Sequence, residues 1–286
     1  RWTGGVGERS GGLLNEMRRL EEHRYGLVRP LFAALRYNLV VDSVIEGNTP
    51  AWVFVDAVER PRTALVWTRQ DALLLAGSPQ GPAVEAELKW VIAQEIVPDA
   101  RQRHIPQLSF HTADPFWESR ADVILESFQP EQAARCFYQP GPLRVDWRAE
   151  IPPAYAMRRM DAELLAGEDL ANAGHVVGWV RSFWPSNEAF LEAGFGYAVL
   201  HDRTLASWCF TVYASGGEFE LGLATVPDHR DRGLATLVAT ACVEHCFDRG
   251  FTPHWHCWVE NRASIAVAEK VGFERPQRYQ VVRFQI

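Results

Sequence analysis

Cysteine is scarce in this 286-residue chain, with five in all. Cys136, Cys209, Cys242, Cys246 and Cys257 are odd in number and lack the spacing of a disulfide framework. That scarcity points to a reducing compartment, hence the cytoplasm. No apolar run reaches the length of a membrane-spanning helix, so no membrane partner is expected. Residues 1–12 hold no apolar core segment, which excludes a secretory signal and suggests a flexible leader. Positive charge is also short. Lys and Arg number 29 against 36 Asp and Glu, a net charge of −7, which argues against a nucleic-acid partner held by phosphate neutralisation. Two phosphate-binding signatures are absent as well: no Gly-x-x-x-x-Gly-Lys-Ser/Thr run and no Gly-x-Gly-x-x-Gly after a strand.

The length suits two domains of roughly 130–150 residues, each able to bury its own core. In the first half the patterning predicts helices over Leu13–Tyr25 and at the start of Leu31–Ile45. Strands at Ala51–Ala57, Thr63–Thr68 and Ala72–Leu75 follow, then a helix at Ala83–Ile96, a strand at Gln107–His111, a helix at Pro115–Ser127 and a strand at Ala134–Tyr138. Turn signals at Gln139-Pro140-Gly141-Pro142 and Ile151-Pro152-Pro153 then break the pattern, giving domains at 13–145 and 150–286. Afterwards the order starts over: a strand at Tyr155–Arg159, helical stretches within Asp161–Trp184, and strands at Gly196–His201, Ser207–Tyr213 and Glu218–Val226. A helix at Gly233–Arg249, a strand at Pro253–Val259, a helix at Ala263–Val271 and a strand at Tyr279–Phe284 complete it. The expected class is α/β (α+β), two domains of related topology with mixed sheets flanked by helices.

The informative segment runs from Glu218 to Phe273. Glu218–Val226 alternates, with Phe219, Leu221 and Leu223 on one face and Glu218 and Glu220 on the other. Pro227-Asp228-His229 ends the strand, and Arg230-Asp231-Arg232-Gly233-Leu234-Ala235-Thr236 opens a helix. A helix start offers unpaired N–H groups and the positive end of a dipole. Gly233 and Ala235 leave the backbone open to a diphosphate, Arg230 and Arg232 add charged donors, and Thr236 adds a hydroxyl.

Val226-Pro-Asp-His-Arg230-Asp-Arg-Gly233-Leu-Ala235 resembles the acetyl-coenzyme A binding motif of the GNAT N-acetyltransferase superfamily. Asn261-Arg-Ala-Ser264 through Gly272-Phe273 resembles that superfamily's next helix and strand entry, and Thr252-Pro-His-Trp255-His-Cys257 looks like the group containing zwittermicin A resistance acetyltransferase. The resemblance is specific over about Gly196–Phe273 and topological before it. It implies two GNAT-like domains, the N-terminal one degenerate because it has no Arg-x-x-Gly-x-Ala.

What the resemblance implies for function is transfer of an acetyl group from acetyl-coenzyme A, as co-substrate and without a metal, to a primary amine by direct attack. Val226, Arg230, Asp231, Arg232, Gly233, Leu234, Ala235, Thr236, Asn261 and Ser264 would bind the cofactor, Asn261 alternatively capping the next helix. A base must take the amine's proton. Glu220 is the first candidate, Glu218 the second, and His256 or His254 a third. Each has a plainer reading: solvated strand glutamates, packed strand histidines. Ala268 stands where many family members carry a tyrosine acid, and Tyr279 is a distant substitute. Cys242, His245 and Cys246 share a helix face, yet with no second ligand pair nearby they read as core rather than metal ligands. A small-molecule amine held between the domains is the expected partner. A non-catalytic acyl-coenzyme A binding regulator, or an enzyme acting on protein amines, is the alternative.

Overall fold

The computed structural model describes residues 17–78, 82–167 and 169–286. The leader at 1–12, and residues 13–16 of the first expected helix, lie outside them. The rest of that expected helix is a correction: Arg18–Arg19 pairs as a strand with Phe54 and Val55, and Glu22–Leu35 winds as a 3-10 helix. Pro30 within this run has no N–H to give an α-helical ladder, and Tyr25, Val28, Phe32 and Leu35 are its buried residues.

Twelve strands form one mixed sheet. They are β1 (Arg18–Arg19), β2 (Trp52–Val55), β3 (Thr63–Trp67), β4 (Ala72–Gly77), β5 (Gln107–His111), β6 (Glu131–Pro140), β7 (Tyr155–Arg159), β8 (Gly196–His201), β9 (Thr204–Ser215), β10 (Glu218–Thr225), β11 (Thr252–Trp258) and β12 (Phe273–Gln285). Their order is β1-β2-β3-β4-β5-β12-β6-β11-β10-β9-β8-β7. Read outward from the centre, the first half runs β5 to β1 and the second β11 to β7, the same order twice. The last strands are exchanged. β12, from the chain's end, lies beside β5, and β6, from the first half, lies beside β11. β6 and β12 pair with each other at the centre, so the two sheets expected from the sequence are joined into one. Among the named strands of the described residues, the parallel pairs are β4 with β5 in the first half and β10 with β11 in the second.

Burial explains the patterning. Every residue of β3 is buried, because helices cover both faces of a continuous apolar run. Val53, Val55, Ala64 and Val66 join a core that extends through the second half, whereas Phe54, Leu65 and Trp67 face a second core beneath the helix Pro115–Ile124. Helices went unread in the sequence at Val40–Ile45, Val97–Gln102, Trp147–Glu150 and Asn187–Ala193; the Ser186 side chain accepts from the Ala189 N–H and starts the last. No helix among the described residues is long and apolar enough to cross a membrane.

Candidate active site

Strand β10 has two differently used edges. Along one it pairs with β9 from Glu218 to Thr225, with a bulge between Glu220 and Leu221. Along the other it pairs with β11 only over Glu218–Glu220, opposite Thr252–His254. Beyond that the parallel strands part. The β11-side edge of Leu221–Thr225 is left without a strand partner, so its backbone groups are available to an extended ligand.

The parting edge leads straight into the helix Leu234–Asp248. Val226 donates its N–H to Ala206 O, and Pro227–His229 forms a single 3-10 turn. Asp231 and Gly233 then take left-handed φ values of 59° and 76°, which turn the chain into the helix. No side chain caps this helix. The N–H groups of Thr236 and Leu237 both reach Gly233 O, and those before them lie in the orphan first turn. Nothing lies within 4 Å of where a Gly233 Cβ would stand. Arg230, Asp231 and Arg232 are exposed around this opening, with Arg230 Nε donating to Thr225 O at 3.3 Å. Leu234 and Thr236 are buried and Ala235 half-buried.

The two remaining cofactor candidates are engaged within the protein. Asn261 Oδ1 accepts from Ser264 N at 3.0 Å as the cap of the helix Arg262–Val271, and Ser264 Oγ accepts from Trp255 Nε1 at 3.2 Å. The same helix carries the fully buried Ala268. Cys242, His245 and Cys246 are occupied separately: Cys242 Sγ donates to Cys209 O, His245 stacks on Phe195 and bonds the Tyr197 hydroxyl, and Cys246 is packed in the core.

The opposite face of β10 and β11 borders an interior cavity of about 170 Å³. Glu220, Tyr213, His256 and Tyr279 reach it from the second half, and Asn38, Asp71, His111 and Arg135 from the first. Trp179 and Phe183 form an apolar wall. Glu220 keeps only 7% of its surface exposed, and burial pushes its carboxyl up to about 7. The nearby Arg135 charge opposes that rise and Asp71 adds to it. Asp71 lines the cavity as an exposed residue, and desolvation of its carboxyl raises it too. His256 bonds the Tyr279 hydroxyl through Nδ1 at 3.0 Å, while its Nε2 is buried without a partner. Burial first, then Arg135, holds the His256 imidazole well below its ordinary value, and does the same to His111, down to about 3. Both rings are therefore neutral at physiological pH.

The structure thus brings Glu220 and His256 together and separates Glu218 from them. Glu218 Oε2 lies 2.8 Å from His254 Nε2, and the carboxylate is half-exposed. Tyr279, distant in sequence, shares the cavity with Glu220. Sequence reasoning missed Asp71, His111, Arg135 and Tyr213. One signal was available: Arg135 stands alone as a charge in the strand expected at Ala134–Tyr138.

Comparison with known proteins accords with this arrangement. A family model described as GNAT acetyltransferase matches residues 29–282. The chain is similar to an uncharacterized N-acetyltransferase of Bacillus subtilis, YdfB, at 22% identity over 94% of this chain and 98% of that one. Among solved structures, a GCN5-related N-acetyltransferase-like protein from Streptococcus suis shares the fold at a TM-score of 0.66, with 22% identity over 91% of this chain and 98% of that one. A tandem GNAT protein from the clavulanic acid biosynthesis pathway does so at 0.59, with 16% identity over 94% of this chain and 98% of that one.

Proposed function

Since the chain belongs to the GNAT acetyltransferase family, we propose that it moves an acetyl group from acetyl-coenzyme A to the primary amine of a small molecule. The observation that carries this reading is the junction of an unpartnered β10 edge with an uncapped helix start at Gly233, backed by a cavity containing Glu220. The residues fit the cofactor. The free edge of Leu221–Thr225 suits its extended, amide-bearing arm, and the first turn at Gly233–Ala235 with Arg230 and Arg232 suits its diphosphate. When bound it supplies the thioester carbonyl.

Glu220 then serves as the base. An amine arrives as an ammonium without a lone pair, and a carboxyl poised near 7 accepts its proton at physiological pH. The neutral amine forms the new C–N bond as the C–S bond breaks. His256 and Tyr279 hold each other beside Glu220, so the phenol is a proton source within reach of the cavity. The acceptor is a small amino-bearing metabolite or antibiotic, the substrate class suggested by the resemblance to the zwittermicin A resistance group.

Calorimetric titration with acetyl-coenzyme A tests the cofactor half of the reading. Micromolar binding by the wild type, lost in Gly233→Glu, supports it; absence of binding in both sinks it. Ala268 at the expected tyrosine position favours a second reading, a protein that binds acyl-coenzyme A without turnover. Tight binding with no acetylation across a broad amine panel would decide for that one.

A further inference from the structure

Three charged side chains share the interior cavity without touching one another. Arg135 enters from β6, Glu220 from β10, and Asp71 from the turn before β4. Among the described residues, no carboxylate oxygen lies within 4.0 Å of the Arg135 guanidinium, and neither Glu220 nor Asp71 has an ion-pair partner. Arg135 lies over the Trp258 ring at 4.9 Å, and its Nε is buried with no hydrogen-bond partner. The Glu220 carboxyl likewise has no hydrogen-bond donor among the described residues. Opposite charges kept apart in a protein interior are costly, because each is desolvated and neither gains from the other. The simplest geometry that satisfies all three is a guest placed between them.

We propose that the acceptor is a small zwitterion, an amino acid or close analogue, whose amine lies at Glu220 and Asp71 and whose carboxylate lies at Arg135. This rests on the acetyltransferase reading and narrows its substrate class. A planar guanidinium with a free N–H suits a carboxylate, for which paired N–H donors are the strongest neutral-pH recognition available. His256 and His111 line the same cavity, and each carries one buried ring nitrogen without a partner. Trp179 and Phe183 face the guest from the other side and offer surface to an apolar or aromatic side chain. Four of the polar residues come from the first half of the chain. That half, which has no cofactor motif, therefore shares in the acceptor's recognition and supplies its one guanidinium.

The test is a matched panel offered to the wild-type protein with acetyl-coenzyme A: α-, β- and γ-amino acids, each beside its amide and its decarboxylated amine. Acetylation is followed by thiol release, and binding by calorimetry in the presence of coenzyme A. At least one amino acid should exceed both of its matched analogues in kcat/KM by tenfold or more. Arg135→Gln should remove that preference through KM, and Arg135→Lys should partly restore it. Equal or better use of the decarboxylated amines overturns the proposal while leaving the acetyltransferase standing. Amino acids that bind but are never acetylated sink the enzymatic reading instead, and the binding preference still judges the zwitterion. If no amino acid binds, the proposal fails. The wild-type panel decides even where Arg135→Gln does not fold.

Discussion

The two parallel junctions of the sheet are built alike and used differently. In the second half β10 and β11 pair through the first three residues of each and then part, opening a slot that continues to Gly233. In the first half the start of β4, Ala72–Leu74, pairs with Ser109–His111, the end of β5. There is no further length of β5 to part from β4, so no slot forms. β4 instead ends at Gly77, where φ is +96° and a Cβ would meet Arg62 O at 2.0 Å. One junction is open where a ligand's arm can enter; at the other β5 ends before the strands can part, and Gly77 is packed on the β3 side. The same topology thus yields a candidate cofactor site and a wall, and the difference lies in strand offset rather than strand order.

The largest effect should separate the chemistry of the open junction from its cofactor affinity. Glu220→Gln should cut turnover by about 10²–10⁴-fold, the range for loss of a general base, while the Kd for acetyl-coenzyme A stays within about twofold. Turnover that survives would remove Glu220 from the chemistry. The same variant should stabilise the fold. A carboxyl whose value rises from 4.5 unfolded to about 7 folded loses stability as pH climbs through that window, and the loss is complete above it. Denaturant melts at pH 8 should show a gain of about 1–3 kcal/mol for Glu220→Gln, shrinking below pH 5. The two glycines should also diverge. Gly77→Ala drives a Cβ into a carbonyl at a left-handed φ and should cost about 2–4 kcal/mol. Gly233→Ala meets empty space and should cost about 1 kcal/mol, from the backbone alone. Equal losses would mean that the closed and open junctions are not packed as described.

How much of this was legible in the chain depended on whether the signal was local. The strands Gln107–His111, Tyr155–Arg159 and Gly196–His201 were readable end to end, as alternation bounded by turn residues. The strand–turn–helix junction proposed for the cofactor was legible for the same reason: Val226 to Thr236 is one contiguous run whose turn, glycine and helix start are adjacent in sequence. Arg18–Arg19 was not, since its strand partner is Phe54–Val55 and a Glu- and Arg-rich stripe looks helical in isolation. The exchange of β6 and β12 was equally hidden, because alternation fixes a strand's faces and says nothing about its neighbours. The cavity follows from that exchange. Its lining spans Asn38 to Tyr279, and Arg135 meets Glu220 only because β6 crosses to the second half's side of the sheet.

The smallest effect ties the wall to the chemistry. With Glu220 as base, kcat/KM should rise tenfold per pH unit below about 7 and level off above it, as the carboxylate form fills. Among the groups facing Glu220, His111 and His256 are neutral across this range and Arg135 is always charged, which leaves Asp71 as the one other carboxyl. Its negative charge helps to hold Glu220 up, so Asp71→Asn should move the rising limb to lower pH. Asp71 is itself pushed up by burial, and the movement should be about half a pH unit or less. A merely structural Asp71 would scale the rate at every pH and leave the limb in place. A limb that moves places the first half inside the reaction's electrostatics, as a working part of the site rather than its scaffold.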